Sequence, residues 1–118
     1  MGEHVSWVLE LAVKPGELDN FKAVVHEMVE STQEEPGTLM YEWSISEDGS
    51  TIHGYERFAD SDAAVAHLST FGEKFAQRFL AAVDPTRLTV YGAPTDEAKD
   101  ALAALGPVYL TPLRGFAR

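Results

Sequence analysis

The feature that most constrains the fold is a pair of alternating segments, residues 39–46 and 50–58, that meet at Asp48-Gly49. Asp-Gly in this setting favours a two-residue type I′ turn, which needs positive φ at both central positions. With these two residues as the loop, the pairing register follows, because side chains alternate between faces along a strand. One face of the hairpin is then predicted to carry Leu39, Tyr41, Trp43, Ile45, Ile52, Gly54, Glu56 and Phe58.

A strand and a helix are predicted before this hairpin. Residues 5–13 alternate between large apolar and smaller or polar side chains, which is typical of a half-buried strand. From Glu17 the apolar residues follow helical spacing until Pro36-Gly37, which ends the helix. The apolar face of this helix comprises Phe21, Val24, Val25, Met28 and Thr32.

A second helix, a strand and a short extension are predicted after the hairpin. Asp60 or Ser61 is suited to be the N-cap of the second helix, and Asp84-Pro85 is expected to stop it. Residues 88–91 indicate a fourth strand. Within the C-terminal extension, residues 94–118, a short helix and a last strand at residues 108–110 are expected. The apolar face of the second helix is predicted to be Val65, Leu68, Phe71, Phe75 and Phe79.

The element order β-α-β-β-α-β predicts an α+β fold with a ferredoxin-like antiparallel sheet, followed by an appended C-terminal helix and strand. Residues 1–118 fit one domain. The two main helices cover only one face of such a sheet. Because the other face includes Met40 and Tyr55, we expect a second copy to cover it in a homodimer.

Charge and cysteine content exclude several classes of partner. The formal net charge is −10, which repels phosphate backbones and anionic lipid headgroups, so no nucleic acid and no membrane partner is expected. The chain has no cysteine, and its four histidines are scattered, which argues against a metal site. Met1 to Ser6 lacks the pattern of a secretory leader, so we expect a cytoplasmic protein.

Two motifs carry a family resemblance: Pro36-Gly37-Thr38-Leu39 leads into Tyr41, and Tyr55-Glu56-Arg57-Phe58 leads into a helix that contains His67. Their order and spacing resemble the antibiotic biosynthesis monooxygenase (quinol monooxygenase-like) family of the dimeric α+β barrel superfamily. The resemblance covers a common core of residues 5–91. It implies a homodimer whose sheets share a barrel, and oxidation of phenols or hydroquinones by O₂ with no cofactor.

The predicted hairpin face offers residues for such chemistry. Trp43 and Phe58 would sandwich a small aromatic ligand, with Gly54 leaving space beneath it. Tyr41 and Glu56 are the polar pair, and Glu56 is the preferred base, since a desolvated carboxylate becomes a better proton acceptor. The alternatives are a structural Glu56 bonded to the Tyr41 hydroxyl or to backbone N–H groups near a helix start, and core packing roles for both Tyr41 and Trp43.

His67 lies about 100° from the centre of its helix's predicted apolar face, at the flank. It is the second candidate catalytic residue, as a proton relay at the pocket mouth, and the alternative is a partly exposed surface histidine. Relatives in antibiotic pathways typically carry Trp where this chain has Phe58, and some place a side-chain amide at Gly54. Haem-degrading relatives need a histidine in the second half of this helix, where the sequence has none.

Three functions follow from these observations. The first is a cofactor-independent monooxygenase that acts on a small phenol or hydroquinone. The second is an isomerase that shuttles protons through Glu56, and the third is a dimer that binds small molecules without catalysis.

Overall fold

The computed structural model describes residues 3–118. Five strands alternate with four helices and one 3₁₀ turn along these residues. Their bounds are β1 Val5–Val13, α1 Leu18–Gln33, β2 Thr38–Ile45, β3 Thr51–Phe58, α2 Ser61–Lys74, α3 Ala76–Ala82, β4 Val83–Gly92, α4 Asp96–Leu102, the 3₁₀ turn Ala103–Leu105 and β5 Val108–Leu110.

The strands form one sheet in the order β2-β3-β1-β4-β5. All neighbours are antiparallel except β4 and β5, which are parallel. The predicted α+β, ferredoxin-like arrangement is therefore confirmed, and so are the appended helix and strand. On β1 the inward residues Val5, Trp7, Leu9 and Leu11 are buried, as the alternation predicts.

The hairpin register is confirmed over most of its length. Trp43 lies opposite Gly54, and Tyr41 lies opposite Glu56. The predicted Leu39–Phe58 pair is wrong: the register shifts between Thr38 and Met40, so that Thr38 lies opposite Phe58. A bulge of this kind inserts one residue into a strand and turns the neighbouring side chains to other directions, which leaves Leu39 half exposed.

The prediction of a type I′ turn at Asp48-Gly49 is also wrong. Of Asp48 and Gly49, only Gly49 has positive φ, and the Asp48 carboxylate instead accepts hydrogen bonds from the Ser46 hydroxyl and from the Ser50 backbone and side chain. Ser46 pairs with Thr51 across a four-residue loop. The loop is longer than predicted by two residues, one taken from the end of each strand. Because the change is symmetric, the same residues still lie opposite each other in the hairpin.

The second predicted helix differs from the structure in two ways. It breaks at Phe75, whose φ is −127°, and continues as α3. Its buried side is rotated toward Ser61, Ala64 and His67, while Leu68 and Phe71 pack at the edge of the core. The N-cap is Asp60, whose side chain accepts a hydrogen bond from the Ala63 N–H.

The sequence suggested that Asp84-Pro85 separates the second helix from the next strand, and this is wrong. Strand β4 begins at Val83 and includes both residues. Proline is tolerated here because Pro85 lies opposite Leu11, beside a register shift in the β1–β4 ladder. The Thr86 hydroxyl donates to the Glu10 carbonyl at the same place.

Candidate functional site

A cavity of about 60 Å³ lies between the inner face of the sheet and the helices. Every strand except β5 and every helix contributes to its wall, which is mostly apolar. Tyr41, Glu56 and His67 bring polar side chains to this wall. The lining residues are Trp7, Leu9, Met28, Tyr41, Trp43, Glu56, His67, Leu68, Phe71, Phe79, Leu80, Pro85, Leu88, Leu102 and Leu105.

Four of the six residues singled out in the sequence meet at this cavity: Tyr41, Trp43, Glu56 and His67. Glu56 is 4% exposed, because β3 lies between β2 and β1 in the sheet and its inner face is covered by helices. A buried carboxylate needs hydrogen-bond donors or a cation nearby. His67 on α2 provides both.

His67 is buried, so its interpretation as a partly exposed surface residue is wrong; it is 5% exposed. Its Nε2 lies 3.2 Å from Glu56 Oε1, and its Nδ1 lies 2.9 Å from Glu35 Oε1. These three side chains form a continuous Glu35–His67–Glu56 chain. The side chain of Glu35 is 22% exposed, so these three hydrogen-bonded side chains lead from the cavity toward the surface.

The position of Glu35 depends on the turn between α1 and β2. Gly37 packs against α2 so closely that an added Cβ would lie 2.5 Å from Ala63 Cβ. Ala63 is one helical turn before His67, and this close approach brings Glu35 to the imidazole. The Thr38 hydroxyl donates a 2.9 Å hydrogen bond to Glu35 Oε1 and fixes the carboxylate.

Burial lowers the pKa of His67, but the hydrogen bond to Glu56 and the charges of Glu56 and Glu35 outweigh it and hold the pKa above its usual value. The imidazolium form follows also from geometry, since each ring nitrogen faces a carboxylate and only the cation has two N–H donors. His67 is therefore a proton donor held between two acceptors.

Tyr41 and Trp43 present hydrogen-bond donors without partners. Within residues 3–118, neither the Tyr41 hydroxyl nor the Trp43 Nε1–H makes a hydrogen bond, although both groups are shielded from solvent. Burial raises the pKa of the Tyr41 hydroxyl, the charge of Glu56 raises it further, and the nearby Thr32 and Trp43 side chains offset only part of the rise. Two unsatisfied donors beside a cavity favour a ligand or water that brings acceptor oxygens.

Gly54 and Phe58 do not line the cavity, so they lie apart from the other four residues singled out in the sequence. A Cβ at Gly54 would lie 2.6 Å from the Trp43 ring, so the indole itself occupies the space above this glycine. Phe58 is fully buried and packs against Trp7 and His67, with ring centroids 4.7 Å and 5.1 Å apart. Phe58 thereby packs against the His67 imidazole and helps to fix its position.

The C-terminal extension forms one wall of the cavity through Leu102 and Leu105. Leu80 of α3 and Leu105 are 46% and 39% exposed, so they mark the end at which the cavity meets solvent. The cavity is smaller than the roughly 150 Å³ that holds benzene in an engineered protein. An aromatic ring therefore requires movement of side chains at this mouth.

The other described histidines lie away from the cavity. His26 is exposed and 3.0 Å from Glu30, while His53 is on the outer sheet face, 3.7 Å from Glu10. Residues 3–118 contain no cluster of three or more His, Asp or Glu side chains with the geometry to hold a metal ion. In the same residues, the helices are too short or too polar to cross a membrane.

Comparison with known proteins identifies the fold family. No curated protein matches the chain. Among solved structures, MupZ from Pseudomonas fluorescens has a TM-score of 0.86 at 24% identity, with 98% of this chain and 95% of MupZ covered. SnoaB, a cofactor-independent oxygenase from Streptomyces nogalater, has a TM-score of 0.67 at 18% identity, with 79% of this chain and 95% of SnoaB covered.

These identities show a shared fold. The alignment with MupZ extends into the C-terminal extension, since it covers nearly the whole chain. The sequence profile of the Antibiotic biosynthesis monooxygenase family matches residues 5–84. The chain belongs to the antibiotic biosynthesis monooxygenase family.

Proposed function

We propose that this protein is a cofactor-independent monooxygenase that oxidises a small phenol or hydroquinone with O₂. The observation that carries the proposal is the buried Glu56 carboxylate at an apolar cavity, in contact with His67. Family membership supports it, as does the shared fold of SnoaB, which is a cofactor-independent oxygenase. Such a reaction needs a base, a proton donor and a dry site, because the substrate itself supplies the electrons.

The phenol oxygen binds beside Glu56, Tyr41 and Trp43 in this proposal. The Tyr41 hydroxyl and the Trp43 indole donate hydrogen bonds to it, and these are the donors that lack partners within the described part of the chain. They stabilise the oxygen as its negative charge develops. The aromatic ring packs against the apolar wall, with Leu80 and Leu105 displaced at the mouth.

The reaction begins when Glu56 takes the phenol proton. The phenolate gives one electron to O₂, and the resulting pair combines to form a carbon–oxygen bond at a ring carbon. The C–H bond at that carbon and the O–O bond then break, which leaves a quinone and one water. One oxygen atom enters the ring and the other leaves as water, and both protons in that water come from the substrate. His67 and Glu56 carry them.

A second function is favoured by the same pair of groups. Glu56 and His67 form an acid and a base at one cavity, which is also the equipment of an enzyme that moves a proton within its substrate. Such an isomerase would turn over without O₂. A dimer that only binds its ligand would show neither activity.

The test is oxygen consumption with a panel of phenols and hydroquinones, in chelator and without flavin. Glu56→Gln keeps the shape but cannot take a proton, so the rate should fall by roughly 10²–10⁴-fold while binding persists. Glu73→Gln is the matched control, since Glu73 is an exposed carboxylate on α2, away from the outer sheet face. Labelled ¹⁸O₂ should place one atom in the product.

Three results would contradict this function. Full activity in Glu56→Gln would place the base elsewhere. Loss of activity in chelator would show a metal requirement. Product formation in the absence of O₂ would favour the isomerase.

We further propose that the protein is a homodimer joined through the outer sheet face. Tyr55 and Tyr91 on this face are 44% and 40% exposed, which is unusual for large side chains on the inner strands of a sheet. Arg57 on the same face has a buried Nε–H with no partner in residues 3–118. Light scattering should show a dimer at micromolar concentration, and Met40→Glu should weaken it. A monomeric wild type would refute this.

A further inference from the structure

The Glu35 carboxylate is unusually well fixed for a residue in a turn. Its Oε1 accepts from the Thr38 hydroxyl and lies 2.9 Å from His67 Nδ1. Backbone hydrogen bonds from Glu35 N–H to the Thr32 carbonyl and from Thr38 N–H to the Glu35 carbonyl hold the turn on both sides. A flexible surface carboxylate needs none of these contacts, so its orientation toward His67 is built into the turn.

His67 has no freedom to rotate between its two carboxylates. Tyr41 packs against the imidazole with an interplanar angle of 67°, and Phe58 lies behind it. The titratable groups that face the ring are Glu35 from the α1–β2 turn, Glu56 from β3 and Tyr41 from β2. Two of these are anions when ionised, and Tyr41 is a neutral phenol.

We propose that Glu35 is a positioning residue that fixes the His67 ring and keeps it protonated, so that the cavity presents a proton acceptor, Glu56, and a proton donor, His67, at the same time. The inference rests on the proposed function for the use of this pair in turnover. The link between Glu35 and His67 is a property of the protein without substrate. It is therefore testable by itself.

The acid–base pair depends on Glu35 for a simple reason. Glu56 alone would hold one N–H of the imidazole, and a neutral ring with its proton on Nε2 would satisfy that contact. In that state His67 has no spare proton to donate without losing its bond to Glu56. The second carboxylate, at Nδ1, holds the second proton and thereby maintains the donor form.

The experiment is an NMR titration of the histidine side chains in Glu35→Gln, with Glu34→Gln as the matched control. Glu34 is the exposed neighbour at the end of α1, so its substitution removes the same charge without touching His67. In Glu35→Gln the side-chain amide oxygen can still accept the Nδ1–H bond, so the change removes the charge and keeps the contact. We expect the His67 midpoint to fall by about 1–3 pH units in Glu35→Gln and to stay in place in Glu34→Gln.

Enzyme kinetics extend the test. We expect kcat/KM to fall at high pH as His67 loses its proton. In Glu35→Gln this fall should occur at lower pH, by the same amount as the shift of the His67 midpoint in the NMR titration. Glu35→Asp, which keeps the charge on a shorter side chain, should restore part of the shift. A purely structural role for Glu35 would reduce the rate at every pH and leave the profile in place.

Two results would overturn the inference: a His67 midpoint in Glu35→Gln equal to that in Glu34→Gln, or an unmoved pH profile. If no phenol or hydroquinone is turned over, the proposed function fails, but the titration still decides whether Glu35 controls His67. The two failures are thereby distinguishable.

Discussion

Gly37→Ala tests the contact that brings Glu35 to His67. The added Cβ would lie 2.5 Å from Ala63 Cβ, whereas carbon atoms in contact sit about 3.5–4.0 Å apart. The φ of Gly37 is not positive, so the backbone itself accepts alanine. The turn must therefore withdraw from α2 by roughly 1 Å.

The cost follows from three contributions. Overpacking of this kind costs about 1–3 kcal/mol. Withdrawal by roughly 1 Å also lengthens the 2.9 Å contact between Glu35 and His67 beyond hydrogen-bond range, and a bond between charged groups contributes about 1.5–3 kcal/mol. Alanine restricts the unfolded chain and returns about 0.4–1 kcal/mol. We expect the free energy of unfolding to fall by about 1.5–5.5 kcal/mol.

Urea denaturation followed by far-UV circular dichroism measures this loss, and the midpoint should fall by roughly 1–3 M. Ala63→Gly provides the rescue, because it removes the opposing methyl group. By itself it costs about 1 kcal/mol of helix stability, but Gly37→Ala should then cost about 1–2 kcal/mol less than in the wild type.

Gly72→Ala is the control for the substitution as such. Gly72 lies within α2, and an added Cβ would meet no atom of the described residues within 4 Å, so alanine should raise stability by about 0.5–1 kcal/mol. An unchanged midpoint in Gly37→Ala, or the same cost with and without the Ala63 methyl group, would refute the close contact between the turn and α2.

Two other predictions concern His67 and the cavity mouth. Because the folded state raises the pKa of His67 above 6.5, its stabilising contribution is fully present below pH 6.5 and is lost as pH rises through the folded-state value. Urea midpoints between about pH 6 and pH 9 should therefore fall more in the wild type than in His67→Gln, and equal slopes would contradict this. Leu105→Ala should widen the mouth and improve the binding of two-ring phenols relative to one-ring phenols, measured by quenching of Trp7 and Trp43 fluorescence. An unchanged ratio would place the entrance elsewhere.

Local periodicity was sufficient to predict most of the fold. Strand β1, the buried face of α1 and the pairing of Trp43 with Gly54 depend on side-chain alternation or helical spacing, which the sequence displays directly. The errors occur where tertiary contacts override local preference. The bulge near Thr38 and the entry of Pro85 into β4 are both irregularities in strand pairing, which alternation in one segment does not reveal.

The candidate site was predictable only in part, for a related reason. Glu56 and Tyr41 were found because hairpin register places them side by side on an apolar face. Hydrophobic periodicity placed His67 at the flank of its helix because a polar residue never counts toward an apolar face. Its burial depends on two carboxylates from other elements. Glu35 precedes Pro36-Gly37 in a turn, where no periodicity exists to indicate its direction.

The free-energy cost of burying the ionised groups of Glu35, His67 and Glu56 also bears on the function. With both carboxylates ionised and His67 protonated, the Glu35–His67–Glu56 chain adds a net negative charge to the core of a protein whose formal charge is −10. Burying ionised groups costs several kcal/mol each, and their mutual attraction offsets this only when geometry is good; apolar side chains of similar volume often give equal or greater stability. Stability alone therefore does not explain why these groups lie in the core. Proton transfer in the proposed function does, because it needs a carboxylate that accepts a proton and an adjacent imidazolium that supplies one, both shielded from water. The location of the charges at the wall of the cavity, with an apolar surface opposite, is what such chemistry requires.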